Sequence, residues 1–221
     1  PISVPAGYFA DYQHETHTGV LITERIFYGQ GGIEPQLPKC RDHELADPLA
    51  YYRAVLKALA GLAAAHKTGR IAADIDARFH YDPETAVLAD RIAFDEAQLR
   101  ALIARYGAFG EAHPQLLPQS LRAPEFIAKL DREVGRVQAH EATLKRFIHS
   151  DRDFIALCHW NANIDNAWFW RDAEGELHCG FIDWGRVGQI HLAAALFGCL
   201  FTATLEVWDE RLDELLGFFI D

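Results

Sequence analysis

Methionine is absent from all 221 residues. Absent too is any apolar run near the roughly 18 residues that would cross a bilayer. The amino end, PISVPAGYFADYQ, has neither a basic flank nor an apolar signal core, so secretion is not predicted. Positive charge is scarce: 21 Lys and Arg stand against 32 Asp and Glu, a net charge of −11. A nucleic-acid partner needs clustered Lys and Arg on phosphates, and that class is excluded. The acidity could suit a cationic substrate, although in most acidic proteins it serves solubility. Four cysteines, Cys40, Cys158, Cys179 and Cys199, show no framework spacing, which predicts free thiols in a reducing cytoplasm. Cys158, His159, His178 and Cys179 have the residue types of a zinc site, but neighbours along a strand point to opposite faces. Gly29-Gln30-Gly31-Gly32 lacks the Lys-Ser/Thr ending and following helix of a phosphate loop, and reads as a hinge. What remains is a folded composition: half the residues are hydrophobic and 24% charged, on a chain long enough for a sizeable core.

Along the chain, Tyr8–Tyr12 and Gly19–Phe27 read as two strands joined through the polar turn His14–Gly19, a hairpin. Tyr28–Asp47 reads as an irregular connection. Asp47-Pro48 is a cap with proline at the first helical position, and Leu49, Tyr52, Leu56, Leu59, Leu62 and Ala63 give one apolar face. His66 extends that face as a hydrogen-bonded packing residue. Arg70–Ile92 is mixed, with a turn at Tyr81-Asp82-Pro83. Asp95 caps a helix that Gly107 should stop, and Pro114 and Pro118 bracket a loop. Pro124 opens a long helix whose predicted buried stripe is Phe126, Ile127, Leu130, Val134, Val137, Leu144 and Phe147. Phe154–Cys158 is a short apolar run. Ala167–Trp170 and His178–Ile182 are paired strands around the turn Asp172–Gly175. Gln189–Leu205 reads as a helix apolar nearly all round, hence buried.

The chemistry concentrates between Leu157 and Gly185: LCHWNANIDNAWFWRDAEGELHCGFIDWG. The hairpin in that stretch places an amide, Asn166, and a carboxylate, Asp183, at the ends of neighbouring strands. Two oxygen ligands presented that way suit Mg²⁺, which takes one or two protein groups plus substrate phosphates. Taken alone, Asp183 could equally cap the following turn, and Asn166 could bond nearby backbone. Asn161 stands where a general base would be useful and cannot accept a proton at neutral pH.

His159, Asn166 and Ile182-Asp183-Trp184-Gly185, in order and with a hairpin between, resemble the catalytic core of the aminoglycoside phosphotransferase and choline-kinase-like families. Their pattern is His-Gly-Asp-x-x-x-x-Asn followed by Ile-Asp-Trp/Phe-Gly. Trp160 replaces the glycine, a residue suited to a positive φ that Trp resists, and Asn161 replaces the aspartate. The resemblance implies an α+β, mostly helical fold: a protein-kinase-like large lobe with a short N-terminal β-hairpin remnant of the small lobe. Residues 1–28 would be that remnant with its hinge. Residues 29–221 would be the large lobe, with a catalytic loop at 157–170 and the Ile-Asp-Trp-Gly motif at 182–185. The same resemblance implies ATP and Mg²⁺ as cofactors, Asn166 and Asp183 as metal ligands, and Asn161 and His159 in the catalytic loop, His159 packing beneath it. Glu24, Arg25 and Ile26, where the strand enters the hinge, would meet the nucleotide. The implied activity is ATP-dependent transfer of a phosphoryl group to a hydroxyl of a small molecule, in the cytoplasm. Asn161 also allows a catalytically impaired nucleotide-binding or scaffold protein, because general-base assistance is typically worth about 10² to 10⁴-fold. The missing methionine, the apolar ending GFFID and the missing Gly-rich strands lead to the expectation of a fragment of a longer protein, inactive by itself.

Overall fold

Asp47 does what its place before Pro48 predicts: its carboxylate accepts the amide N–H of Ala50 and starts the helix α1, Pro48–Lys67. Tyr52, Val55, Leu56, Leu59 and Leu62 recur at helical spacing and are buried. In the computed structural model, which describes residues 2–88 and 91–221, the chain divides into two compact units. One comprises Pro1–His80 with Asp153–Asp221, and the other Tyr81–Arg152.

The first unit holds six strands in three two-stranded antiparallel sheets, among the described residues. β1 (Gly7–Gln13) pairs β2 (Thr18–Thr23), so the predicted hairpin forms, but its second strand stops four residues short of Phe27. β3 (Ile155–His159) is buried throughout and pairs β6 (Val187–His191). β4 (Ala167–Arg171) pairs β5 (Leu177–Phe181), with Ala167 opposite Phe181. Ser3 bridges Gly180 on one side of this hairpin and Ile33 bridges Trp170 on the other. The core joins α1 to β3, β4, β5, α7 (Leu192–Leu200) and α8 (Leu212–Ile220). His66 is a packing residue that ties α1 to β3: its Nδ1 accepts the amide of Leu157 and its Nε2 lies 2.9 Å from Asp76.

Gln189–His191 is a strand, not the start of the predicted helix. Ile190 and Val187 are β-branched and complete the β3 pairing, and a short apolar run does not distinguish strand from helix. The helix that follows ends at Leu200, short of the predicted Leu205, and is not wholly buried either: Ala195, Gly198, Cys199 and Leu200 face inward while Phe197 is exposed, as are Phe201 and Leu205 beyond it.

The second unit is helical. Tyr81-Asp82-Pro83, predicted as a turn, caps α3 (Pro83–Leu88), with Asp82 accepting the amides of Glu84 and Thr85. Residues 89 and 90 of the mixed segment Arg70–Ile92 lie outside the described residues. Earlier in that segment, α2 (Ile75–Arg78) is a single turn in the first unit. Asp95 and Gln98 form a reciprocal capping box at the start of α4 (Glu96–Ala112). The helix continues through Gly107 to Ala112, since an isolated glycine weakens a helix without ending it, and the place of its missing side chain lies in ordinary contact with Ile127 of the long helix. After the short α5 (Gln119–Arg122), α6 (Pro124–Ser150) has only part of its predicted stripe covered. Phe126, Ile127, Leu130 and Val134 are half-buried, whereas Val137, Leu144 and Phe147 are exposed, Phe147 at 77%. The stripe outruns the short helices that pack on it.

Candidate functional site

β3 delivers the loop 160–166 to the mouth of the β4–β5 hairpin. His159, the last residue of β3, is 0% exposed, and its Nε2 donates to the carbonyl of Ile182 at 2.8 Å. Its ring lies 4.8 Å from that of Trp184. Burial holds its pKa below the usual imidazole value, opposed by the bond to Ile182 and the charge of Asp183. The ring is therefore a neutral pin between the loop and the Ile-Asp-Trp-Gly segment.

Three asparagines organise the loop. Asn166 donates from Nδ2 to the backbone carbonyl of Asn161 at 2.9 Å, and its amide N–H reaches the carbonyl of Asn163. The carbonyl of Asn166 accepts the N–H of Ile182 at 3.0 Å, so Asn166 sits across the hairpin mouth from the residue preceding Asp183. With Nδ2 committed, Oδ1 is the end of Asn166 that has no partner among the described residues. Asn163, 5% exposed, donates from Nδ2 to the Oδ1 of Asn161 at 3.0 Å, and its own Oδ1 is enclosed without a partner. Asn163 was not singled out from the sequence; its signal was only the alternation Asn-Ala-Asn beside the motif.

Asp183 occupies left-handed backbone, φ 58° and ψ 56°, a region that Asp tolerates better than most residues. Trp160 does not: among the described residues only His17, Cys40 and Asp183 are non-glycine residues with positive φ. The glycine absent at 160 is thus not required for φ. Instead a glycine is required opposite, because a Cβ on Gly198 of α7 would lie 1.7 Å from the Trp160 carbonyl oxygen. Gly180 plays a similar part in β5, where the ring of Trp168 covers the place of a side chain.

Asp183 forms part of the wall of an open cavity of about 750 Å³, lined by Val4, Pro5, Gly7, Leu21, Thr23 and the segment 182–185. Among the described residues it is the one charged group in a lining that is otherwise mainly apolar. Thr23 belongs to that wall, while Glu24, Arg25 and Ile26 are not among its residues. The carboxylate of Glu24 accepts the N–H of Ala6, and the guanidinium of Arg25 lies over the Phe27 ring.

A second carboxyl stands nearby. One oxygen of Asp165 is enclosed without a partner, and burial pushes its pKa above the usual range. Lys39 opposes that shift, while Asp42 and Asp183 add to it. Asp42 is buried beneath, accepting from the hydroxyls of Tyr52 and Thr202 at 2.8 and 2.6 Å. These partners, 10 and 160 positions away in sequence, gave no local signal.

The residues weighed as a zinc site are engaged otherwise. Cys179 donates to the carbonyl of Ala54, burial pushes the thiols of Cys158 and Cys179 up to about 12, and His178 bonds Asp172. Asp172, Glu176 and His178 gather at the far turn of the hairpin, but the oxygens of Asp172 are already taken by His178 and by the amides of Glu174 and Glu176. No helix among the described residues is long and apolar enough to cross a membrane.

No protein-family model and no curated protein matches the chain. Among solved structures it is similar to an aminoglycoside phosphotransferase from Streptomyces rimosus, with 19% identity and a TM-score of 0.38, over 97% of this chain and 68% of that one. At that score the likeness carries no argument about chemistry.

Proposed function

We propose that this chain carries the nucleotide and metal site of an ATP-dependent phosphotransferase acting on a small molecule. The observation that carries the reading is the partly apolar cavity with Asp183 in its wall, beside a hairpin mouth at which Asn166 keeps its oxygen free. A concave, mainly apolar wall with one convergent charge is the usual form of a small-ligand site. The donor set fits Mg²⁺, a hard cation that accepts an amide oxygen and a carboxylate and takes its remaining ligands from phosphates and water. When bound, such an ion would neutralise charge on the transferring phosphoryl group. Asn166 and Asp183 would hold it, His159 would keep the two segments in register, and the cavity would take the apolar face of the nucleotide. Glu24, Arg25 and Ile26 would lie at the margin of that pocket. A hydroxyl is the acceptor that the motif resemblance implies.

A second reading, a nucleotide-binding protein without catalysis, is favoured by one observation. The Oδ1 of Asn161, the atom able to orient a hydroxyl, already accepts a hydrogen bond from Asn163 and is drawn toward it. Titration with ATP in the presence and absence of Mg²⁺, followed by the fluorescence of Trp184 and Trp160, tests what the two readings share. Saturable, Mg²⁺-dependent binding is expected, weakened at least tenfold in Asp183→Asn, as loss of one charged ligand worth about 1.5–3 kcal/mol requires. Equal affinity in the variant would end both readings. Transfer of labelled γ-phosphate to an acceptor then separates them.

A further inference from the structure

An amide side chain has two unlike ends, an oxygen that accepts and an N–H₂ that donates twice. At Asn161 the choice of outward end is made by the loop. Asn163 is buried and donates to Asn161 Oδ1, while Asn166 fixes the Asn161 backbone by bonding its carbonyl. The Nδ2 of Asn161 has no partner among the described residues and is not enclosed, so the open end of this side chain is a donor. A donor cannot take a proton from a hydroxyl or orient it through that proton. It can hold an oxygen that carries negative charge.

The immediate surroundings agree. Trp160, next to Asn161, is partly exposed, and the guanidinium of Arg186 lies over its ring, 5.4 Å from the centroid. Arg186 has no carboxylate partner among the described residues. The backbones of the two residues also meet, the N–H of Trp160 approaching the carbonyl of Arg186. An uncommitted planar guanidinium is the group best shaped to receive a carboxylate or phosphate by two parallel hydrogen bonds. A neutral amide at 161 also removes the repulsion that a carboxylate there would exert on an anionic acceptor.

We infer that Asn161, held by Asn163, and Arg186 receive an acceptor whose nucleophilic oxygen is already anionic at neutral pH, a carboxylate or a phosphate, in place of a hydroxyl. This rests on the phosphotransferase reading above. In the step, a lone pair of the anionic oxygen forms a bond to the γ-phosphorus of ATP. The bond from that phosphorus to the β,γ-bridging oxygen breaks, and its electrons leave on ADP. The acceptor has no proton to lose, so no base is needed at 161. Asn161 and Arg186 touch the acceptor, and Asn163 is a positioning residue.

The test is a transfer assay on the full-length protein with Mg²⁺ and γ-labelled ATP, offering acetate, benzoate and glutamate, then methyl phosphate, then the alcohols glycerol, glucose and ethanolamine. Hydroxylamine trapping identifies acyl phosphates and so separates carboxylate from phosphate acceptors. Labelling of an anionic class at least tenfold above the alcohols is expected, the margin that one charge-assisted hydrogen bond supplies. Arg186→Gln should raise the acceptor KM about tenfold and leave the KM for ATP unchanged. Asn163→Asp can only accept, so it turns the Asn161 amide round and moves the preference toward alcohols, as does Asn161→Asp. A wild-type preference for alcohols, or Mg²⁺-dependent ATP binding with transfer to neither class, overturns the inference while leaving the nucleotide site standing. Absence of ATP binding overturns both.

Discussion

β1–β2 and β4–β5 are antiparallel hairpins of similar length, each closed by a short polar turn, yet their surroundings are opposite. Every residue of β1–β2 is exposed, including Tyr8 at 68% and Leu21 at 72%. In β4–β5 the residues at the open end, Ala167–Phe169 and Cys179–Phe181, are buried, and only the turn end reaches solvent. A two-stranded hairpin by itself is marginal in water. β4–β5 escapes that limit because Ser3 and Ile33 extend its edges and α1 covers it. The positions of Asn166 and Asp183 are therefore set by a core, whereas the β1–β2 wall of the cavity is set by its own cross-strand pairs, such as Phe9 with Ile22. The cavity has one fixed side and one that only local pairing supports.

The sharpest way to break this comparison is to truncate matching aromatic residues. Phe181, fully buried beside the site, should lose about 3–5 kcal/mol of unfolding free energy on change to Ala. Phe9→Ala, on the exposed hairpin, should change stability by about 0.5 kcal/mol or less. Chemical denaturation measures both, and similar losses would show that β1–β2 is as well supported as β4–β5.

Acid should act on the fixed side through His159. Burial depresses its folded-state pKa, so the unfolded chain takes up the proton first. Its contribution to stability is complete above the unfolded value of about 6.5 and declines as pH falls toward the lower folded value. Unfolding free energy followed from about pH 8 to pH 5 should drop below about 6.5, and His159→Gln should flatten that part of the curve. An unchanged slope in the variant would exclude His159 as the source.

The smallest effect is one of chemical access. Of the four free cysteines only Cys40 is exposed, so the native protein should react with one equivalent of a thiol reagent and the denatured protein with four. Tyr8→Cys should add a second fast equivalent, whereas Cys158 in β3 and Cys179 in β5, both pushed up to about 12 by burial, should stay silent. Rapid native labelling of either would mean that the core around the site opens readily.

Much of this was legible where the signal is local. The Asp47-Pro48 start of α1, the Asp95 capping box and both hairpins follow from neighbouring residues, and so does the placing of Asn166 at a strand end before Asp183. What sequence could not supply depends on distant partners. Val187–His191 became a strand because β3 was there to pair with it, and Gly107 stayed helical because the turns on either side of it, up to Ala112, carried the helix through. Phe147 belongs to an apolar stripe by spacing, but exposure is decided by what packs on it. At the site, the identity of Asn161 was plain and its orientation was not, since the partner that turns its amide is a residue whose own burial had first to be known.

Gly198 has a consequence for how this protein can vary. No side chain fits between α7 and the Trp160 carbonyl, so the helix and the loop pack backbone against backbone. Substitutions on the exposed side of α7, such as at Phe197, touch nothing in the cavity, yet any that tilt the helix will displace the loop that carries Asn161. Selection or mutagenesis on that outer surface is thus a route to retuning the site without altering any of its residues.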